Sequence, residues 1–161
     1  MDLRTAIYVD AFNLYYGALK RRPACKWLDI KALCQRMLRP ENKIVRIVYC
    51  TARVKPRAGD PGQPVRQAFY LRALATIPCL VIEGRYKEEV KRLPVAPGES
   101  LFDASGRPVR FASVLRSEEK GSDVNLASHM LIDAFQDLYD VAILISADTD
   151  LAEPVRLVRV A

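Results

Sequence analysis

The sequence predicts an α/β domain organised around a mostly parallel sheet. Three observations carry that prediction. Strand-length apolar runs recur at 6–9, 43–51, 79–85 and 141–150. Helical-period segments separate the first three and precede the fourth, which is the rhythm of strand–helix–strand units with crossover connections. The last run, Val141-Ala142-Ile143-Leu144-Ile145, is apolar on both faces, as expected of a strand buried in the middle of a parallel sheet.

Taken in order, Ala6-Ile7-Tyr8-Val9 reads as the first strand, with Asp10 at its carboxyl end and Asn13 three residues on. Asn13 caps the following turn or turns its amide toward the acid. A basic loop from Gly17 to Ala24 leads to a helix opened by Trp27-Leu28-Asp29-Ile30. Asp29 is its N-cap, Pro40 ends it, and Trp27 is expected to plug the core. The second strand, 43–51, is followed by a long loop bearing Arg53, Lys55 and Arg57. Its Gly and Pro residues mark it as exposed. Residues 65–76 read as a helix carrying Val65, Ala68, Phe69 and Leu71. Residues 79–85 form the third strand, which ends at Arg85.

Residues 86–116 break the rhythm and read as a hairpin-like insertion, with a loop containing Asp103, Ser105 and Gly106. A strong amphipathic helix follows Lys120-Gly121-Ser122-Asp123. Ser122 is its expected N-cap, and its buried stripe is expected at Val124, Ala127, Leu131, Ala134, Phe135 and Leu138. Asp123 lies in the first turn, where the helix dipole favours a carboxylate. His129, the one histidine, falls on the opposite, polar face.

The bulk composition bounds the functional classes. A chain of 161 residues, half of them hydrophobic and 27% charged, suits one folded domain over 1–161. No apolar run approaches the length of a membrane span, and the N-terminus has an acid where a signal peptide would be basic. A cytoplasmic protein is the expectation. Cys25, Cys34, Cys50 and Cys79 are widely spaced and read as reduced thiols rather than a zinc site or disulfides. A net charge of +6 and a pI near 9.3 favour a polyanionic partner.

Asp10, Asp123, Asp148 and Asp150 share one destination, the carboxyl end of the sheet, where open α/β folds bind ligands. Four carboxylates there repel one another unless a cation compensates. An all-oxygen set suits Mg²⁺ or Mn²⁺ rather than structural zinc. Such a site activates water and stabilises charge on a phosphoryl group, so hydrolysis of a nucleic-acid phosphodiester is the expected chemistry. Asp10, Asp123, Asp148, Asp150 and Asn13 are the catalytic candidates, the four acids being the metal ligands. Lys120, Ser146, Thr149, Arg53, Lys55, Arg57 and Arg85 are the substrate-binding candidates. Two other readings stand beside this one. A non-catalytic or weakly active RNA-binding module would need no acid cluster. A phosphatase of the haloacid-dehalogenase type would place its Asp-x-Asp pair after the first strand.

Three stretches carry a family resemblance: Ile7-Tyr8-Val9-Asp10 with Asn13, Lys120-Gly121-Ser122-Asp123-Val124, and Ser146-Ala147-Asp148-Thr149-Asp150. In this order they resemble the NYN domains, a branch of the PIN-like nuclease superfamily. The resemblance implies a three-layer α/β/α sandwich. It also implies metal-binding acids at Asp10, Asp123, Asp148 and Asp150, supported by Asn13 and by Thr149 or Ser146. The implied activity is metal-dependent ribonuclease on single-stranded or structured RNA. The family often has glycine where Ala147 stands, and usually continues past the final helix into another edge strand. Its absence here would move the last strand toward an exposed edge, which a second copy or a protein regulator would cover.

Overall fold

Residues Leu3–Asp10 form β1, and from Thr5 onward every side chain is buried. Its parallel neighbours are β2 (Asn42–Ala52) on one side and β7 (Val141–Ile145) on the other. Beyond β2 the sheet continues with β3 (Cys79–Pro94), parallel, and β6 (Phe111–Lys120), antiparallel to β3. The strand order is β6-β3-β2-β1-β7. The computed structural model describes residues 1–57 and 59–159.

The period of two in β1 and β2 sorts the core into two halves. Ile7, Val9, Ile47 and Tyr49 pack against Ile30 and Cys34 of α2 (Ile30–Met37) and Leu71 and Leu74 of α3 (Gln63–Leu74). On the other face, Ala6, Tyr8, Val48 and Cys50 meet Leu126 and Met130 of α4 (Ser122–Phe135), with Tyr139 and Leu151. Val155 and Val158 of α5 (Ala152–Val158) add to that layer. The result is a three-layer α/β/α sandwich. Asp29 caps α2 as expected, its side chain accepting from the Ala32 amide at 2.9 Å. All four cysteines are free thiols.

Several expectations are corrected. Among the described residues β7 is an edge strand, paired only to β1, and its residues are half-buried. Ile143 and Ile145 pack on one helical layer, Ala142 and Leu144 on the other. Apolar character on both faces therefore reports coverage above and below, not a neighbour in the plane of the sheet. The long insertion is more regular than predicted. β3 runs on to Pro94 and pairs with β6 from Arg85↔Lys120 to Pro94↔Phe111, making a two-stranded ribbon beyond the sheet. At its tip, β4 (Leu101–Phe102) and β5 (Pro108–Val109) pair around a turn where Asp103 accepts from the Ser105 amide at 2.9 Å and hydroxyl at 2.7 Å.

The buried face of α4 is also rotated from the predicted stripe. Ser122, Leu126, Met130 and Asp133 are buried, whereas Val124, Phe135 and Leu138 are exposed. The cause is Asp133, only 1% exposed, whose Oδ2 accepts from the Tyr8 hydroxyl at 2.7 Å. Arg46 Nε lies 2.7 Å from the same oxygen, though without the alignment of a direct hydrogen bond. A reading by hydrophobicity turns an acid outward, but here a phenol and a guanidinium supply its partners. On α3, Val65 and Phe69 are likewise exposed, and Leu71 and Leu74 are the core contacts. Trp27 is 58% exposed and stands beside Tyr70 at 6.4 Å, not in the core.

Candidate metal centre

The centre begins where β1 stops. Asp10, 3% exposed, is the N-cap of the short helix α1 (Ala11–Leu14), and its Oδ1 accepts from the Asn13 amide at 3.0 Å. Its other oxygen accepts from Asn13 Nδ2 at 2.8 Å and from the Ser146 hydroxyl at 2.9 Å. Ser146 follows β7 and also accepts from the Asp148 amide at 3.1 Å, while Asn13 Oδ1 accepts from the Ala147 amide at 3.3 Å. Cap and cross-strand bonds thus tie the ends of β1 and β7 together at the point where the chain winds away on both sides of β1. Asn13 and Ser146 thus both donate to the Asp10 carboxylate. Asp148 itself caps the next turn, accepting from the Asp150 amide at 2.9 Å.

Asp123 arrives from the other direction. β6 ends at Lys120, and Gly121 turns the chain into α4 at φ +102°, a left-handed conformation that disfavours any side chain. Ser122 does not cap this helix. It is the first helical residue, and Glu119 accepts from its amide at 3.1 Å and from its hydroxyl at 2.6 Å. Gly84 on β3 leaves the space that this arrangement needs, because a Cβ there would lie 2.8 Å from the Lys120 carbonyl oxygen and nearer still to the Glu119 carboxylate.

One carboxylate oxygen from each of Asp10, Asp123 and Asp148 lies within 4.8 Å of the others. The Asp123 carboxyl is held above the ordinary carboxylate range, first by desolvation and then by the negative charges of Asp10, Asp148, Glu119 and Asp150. Beneath them, burial together with the Asp10 and Asp123 charges pushes the Cys50 thiol up to about 12, which leaves it an inert core residue. The donors are hard oxygens, converging and mutually repelling, and the set fits a divalent cation. It opens into a cleft of about 420 Å³ whose walls include Tyr16, Arg57, Tyr86 and Glu119.

The remaining candidates divide. Asp150 is exposed and stands outside the three-acid set, though its charge is felt at Asp123. Thr149 is exposed on the same turn. Arg57 lines the cleft, but Arg53 is paired with Glu83 at 2.6 Å and Lys55 with Glu88 at 2.7 Å. Lys120 pairs with Glu118 at 2.8 Å, and Arg85 is exposed on β3. His129 is a half-buried residue of α4 outside the cleft. Glu119 is the residue that the sequence reading missed. Its signal was a glutamate three residues before Ser122, in position to reach back onto the first helical amides.

A family model for the NYN domain matches residues 4–161. The chain belongs to the NYN domain family. This NYN domain is 31% identical over 176 aligned positions to the 6-hydroxy-3-succinoylpyridine 3-monooxygenase HspA of Pseudomonas putida (strain DSM 28022 / S16). The alignment takes in 98% of the domain but 56% of that protein's length. No solved structure matches it significantly. With the family established, the Asp148-Thr149-Asp150 pair sits after the last strand of an NYN domain, and the haloacid-dehalogenase reading falls. Among the described residues, no helix is long and apolar enough to cross a membrane.

Proposed function

We propose that this NYN domain is a metal-dependent ribonuclease that hydrolyses RNA phosphodiester bonds at the cluster of Asp10, Asp123 and Asp148. The observation that carries the reading is the convergence of their three carboxylate oxygens within 4.8 Å at the end of the sheet. Clustered carboxylates would repel a phosphate chain, so the arrangement gains meaning only with a cation between the two. A bound Mg²⁺ or Mn²⁺ would polarise the phosphoryl group and lower the pKa of a coordinated water.

The chain's own residues then have separable roles. Asn13 and Ser146 hold the Asp10 carboxylate in one orientation: Oδ2 accepts from both side chains, and Oδ1, which accepts from the Asn13 amide, keeps a lone pair for a cation. A cation at the cluster would offset the desolvation and the neighbouring negative charges that raise the Asp123 pKa, and so favour its carboxylate form. Asp150, exposed beside Asp148, completes the acid set at its outer side and accepts a proton from attacking water. Arg57, on the cleft wall, meets a phosphate oxygen of the strand. Lys120, Thr149 and Arg85 extend that contact by exchanging present pairings or exposure for phosphate.

The test is cleavage of labelled RNA in Mg²⁺ or Mn²⁺, with and without EDTA, by wild type and Asp148→Asn. Metal-dependent cleavage that Asp148→Asn abolishes, with unchanged thermal unfolding, is expected. Retained cleavage in the purified variant refutes the role. The half-paired edge of β7 supports pairing with a second copy or a regulator, and a groove beside it is lined by Leu33, Met37 and Leu38. A concentration-independent monomer mass overturns the dimer.

A second reading rests on the likeness to HspA, whose name describes a monooxygenase acting on a hydroxylated pyridine. On that reading oxygen activation would need a cofactor and a two-electron donor such as a reduced nicotinamide from outside this domain, since the three-carboxylate set lacks the histidines of an oxygen-activating iron site. Conversion of 6-hydroxy-3-succinoylpyridine by the domain supplied with a reduced nicotinamide, with oxygen uptake and without RNA cleavage, would favour it over the nuclease.

A further inference from the structure

Next to the acid cleft lies a second, more enclosed cavity, of about 120 Å³. Its size is close to the roughly 150 Å³ apolar cavity that admits a benzene ring. Its walls are aromatic: Phe12 and Tyr16 after β1, Tyr15 beside them, Trp27, Tyr70 of α3, and Tyr49 of β2. These rings already pack edge to face, Tyr49 on Tyr70 at 6.0 Å and Tyr15 on Tyr16 at 5.2 Å, so the walls are preset. Tyr70 is further fixed by donating to the Leu28 carbonyl at 2.8 Å. Trp27, the residue before Leu28, stands out of the core and lines the cavity.

The floor is polar at two points. Tyr49 and Thr51 project from the same face of β2, are 7% and 2% exposed, and line the cavity. Among the described residues the Tyr49 hydroxyl has no hydrogen-bond partner, and the Thr51 hydroxyl oxygen has only a long contact from Gln67 at 3.4 Å. The Tyr49 hydroxyl is not a sealed-in orphan: it opens to the cavity, where water or the polar edge of a bound ring can meet it. Lys26 stands exposed at the rim. Phe12 and Tyr16 belong to both spaces, walling this cavity and the acid cleft alike.

We infer that this cavity seats one flat single-ring heterocycle, and that its occupant is an unstacked pyrimidine base of the strand whose phosphate lies at the acids. The inference rests on the nuclease reading for the strand, but not for the ring site. Aromatic walls hold the faces of the base, as in single-strand recognition generally. Tyr49 and Thr51 meet its polar edge, and Lys26 takes a flanking phosphate. A purine would need more room than one ring.

The experiment uses Trp27, the one tryptophan, as a fluorescence reporter in EDTA, where no cleavage occurs. Uridine monophosphate, adenosine monophosphate and inorganic phosphate are titrated into wild type and Tyr49→Phe. In parallel, labelled uridine-rich oligonucleotides with one abasic position walked along the strand are bound to the domain by anisotropy. Saturable quenching by uridine monophosphate, weaker response to the adenosine nucleotide and none to phosphate are expected. Tyr49→Phe should weaken the response, and one abasic position should weaken oligonucleotide binding roughly five- to hundredfold. Quenching by the nucleotide without any abasic effect keeps a ring site but overturns its use by a strand. No quenching, or quenching unchanged in Tyr49→Phe, overturns the site itself. RNA cleavage assayed separately shows whether the nuclease reading stands in either case.

Discussion

Gly84→Ala is the sharpest test of how the fold builds the candidate metal centre, because it adds one methyl group and changes none of the three acids. On the unshifted backbone, the new Cβ lies 2.8 Å from the Lys120 carbonyl oxygen and 3.3 Å from the Ser122 nitrogen, and closer still to Glu119 Oε1. The carboxylate can swing aside, but the two backbone atoms belong to the left-handed turn into α4 and cannot. Loss of the Glu119 cap costs about 0.5–2 kcal/mol. Forcing the ribbon and α4 apart adds about 1–3 kcal/mol. The terms overlap, so about 2–4 kcal/mol in all is expected. At roughly 2–4 °C per kcal/mol for a chain of this size, the unfolding midpoint should fall by roughly 5–15 °C. Because α4 carries Asp123, the same shift should widen the three-acid set and weaken the thermal stabilisation that Mn²⁺ would give if the proposed site binds it. Differential scanning fluorimetry, with and without Mn²⁺, measures both. An unchanged midpoint together with an unchanged Mn²⁺ response would refute the claim that Gly84, Glu119 and Gly121 place Asp123.

Three further outcomes follow from the same geometry. Asp123 has a raised pKa, so in the metal-free protein its ionisation is penalised. Stability is fully present below the ordinary carboxylate range and is lost as pH rises through the raised value. Asp123→Asn should therefore raise the metal-free unfolding midpoint at neutral pH, leave it unchanged in strong acid, and remove the Mn²⁺ response; a lower midpoint at neutral pH would contradict the assignment. Tyr8→Phe removes the 2.7 Å hydrogen bond to buried Asp133 and should cost about 1–3 kcal/mol by urea unfolding, with the Mn²⁺ response intact. Equal stability would mean that the Tyr8–Asp133 bond does not hold α4 in its observed rotation. Gly121→Ala, at φ +102°, should cost about 1–2 kcal/mol and shift with Gly84→Ala in a non-additive way, since both act on one turn. Strict additivity in the double variant would separate the two residues.

Much of the site was legible because its acids sit in settings that local sequence defines. Asp10 and Asp148 each end an apolar run, and Asp123 follows a Gly-Ser helix start. Strand ends and helix starts are local features, so those three could be placed at one end of a parallel sheet from the chain alone. The basic candidates were less legible. Arg53, Lys55 and Lys120 read as free cations along the chain, yet Glu83, Glu88 and Glu118 reach them in space. The partners of Arg53 and Lys55 are some thirty residues away in sequence, on a strand whose register no local pattern reveals. Asp150 shared its spacing with Asp148, but the turn that Asp148 caps carries it outside the three-acid set.

The sequence by itself determined the order of strands and helices, the mostly parallel class of the sheet, the family, and four acids at one sheet end, of which three converge. Each of these depends on short-range periodicity, on capping chemistry or on motif order. Tertiary structure alone decided the rest. It made β7 an edge rather than a centre, since apolar faces record what lies above and below a strand but not what lies beside it. It turned α4 so that Asp133 is buried, since Tyr8 and Arg46 satisfy an acid that composition would send to water. It set Trp27 beside Tyr70 at the wall of an aromatic cavity, since the tyrosine that meets it comes from a helix some forty residues on, which no local pattern reveals.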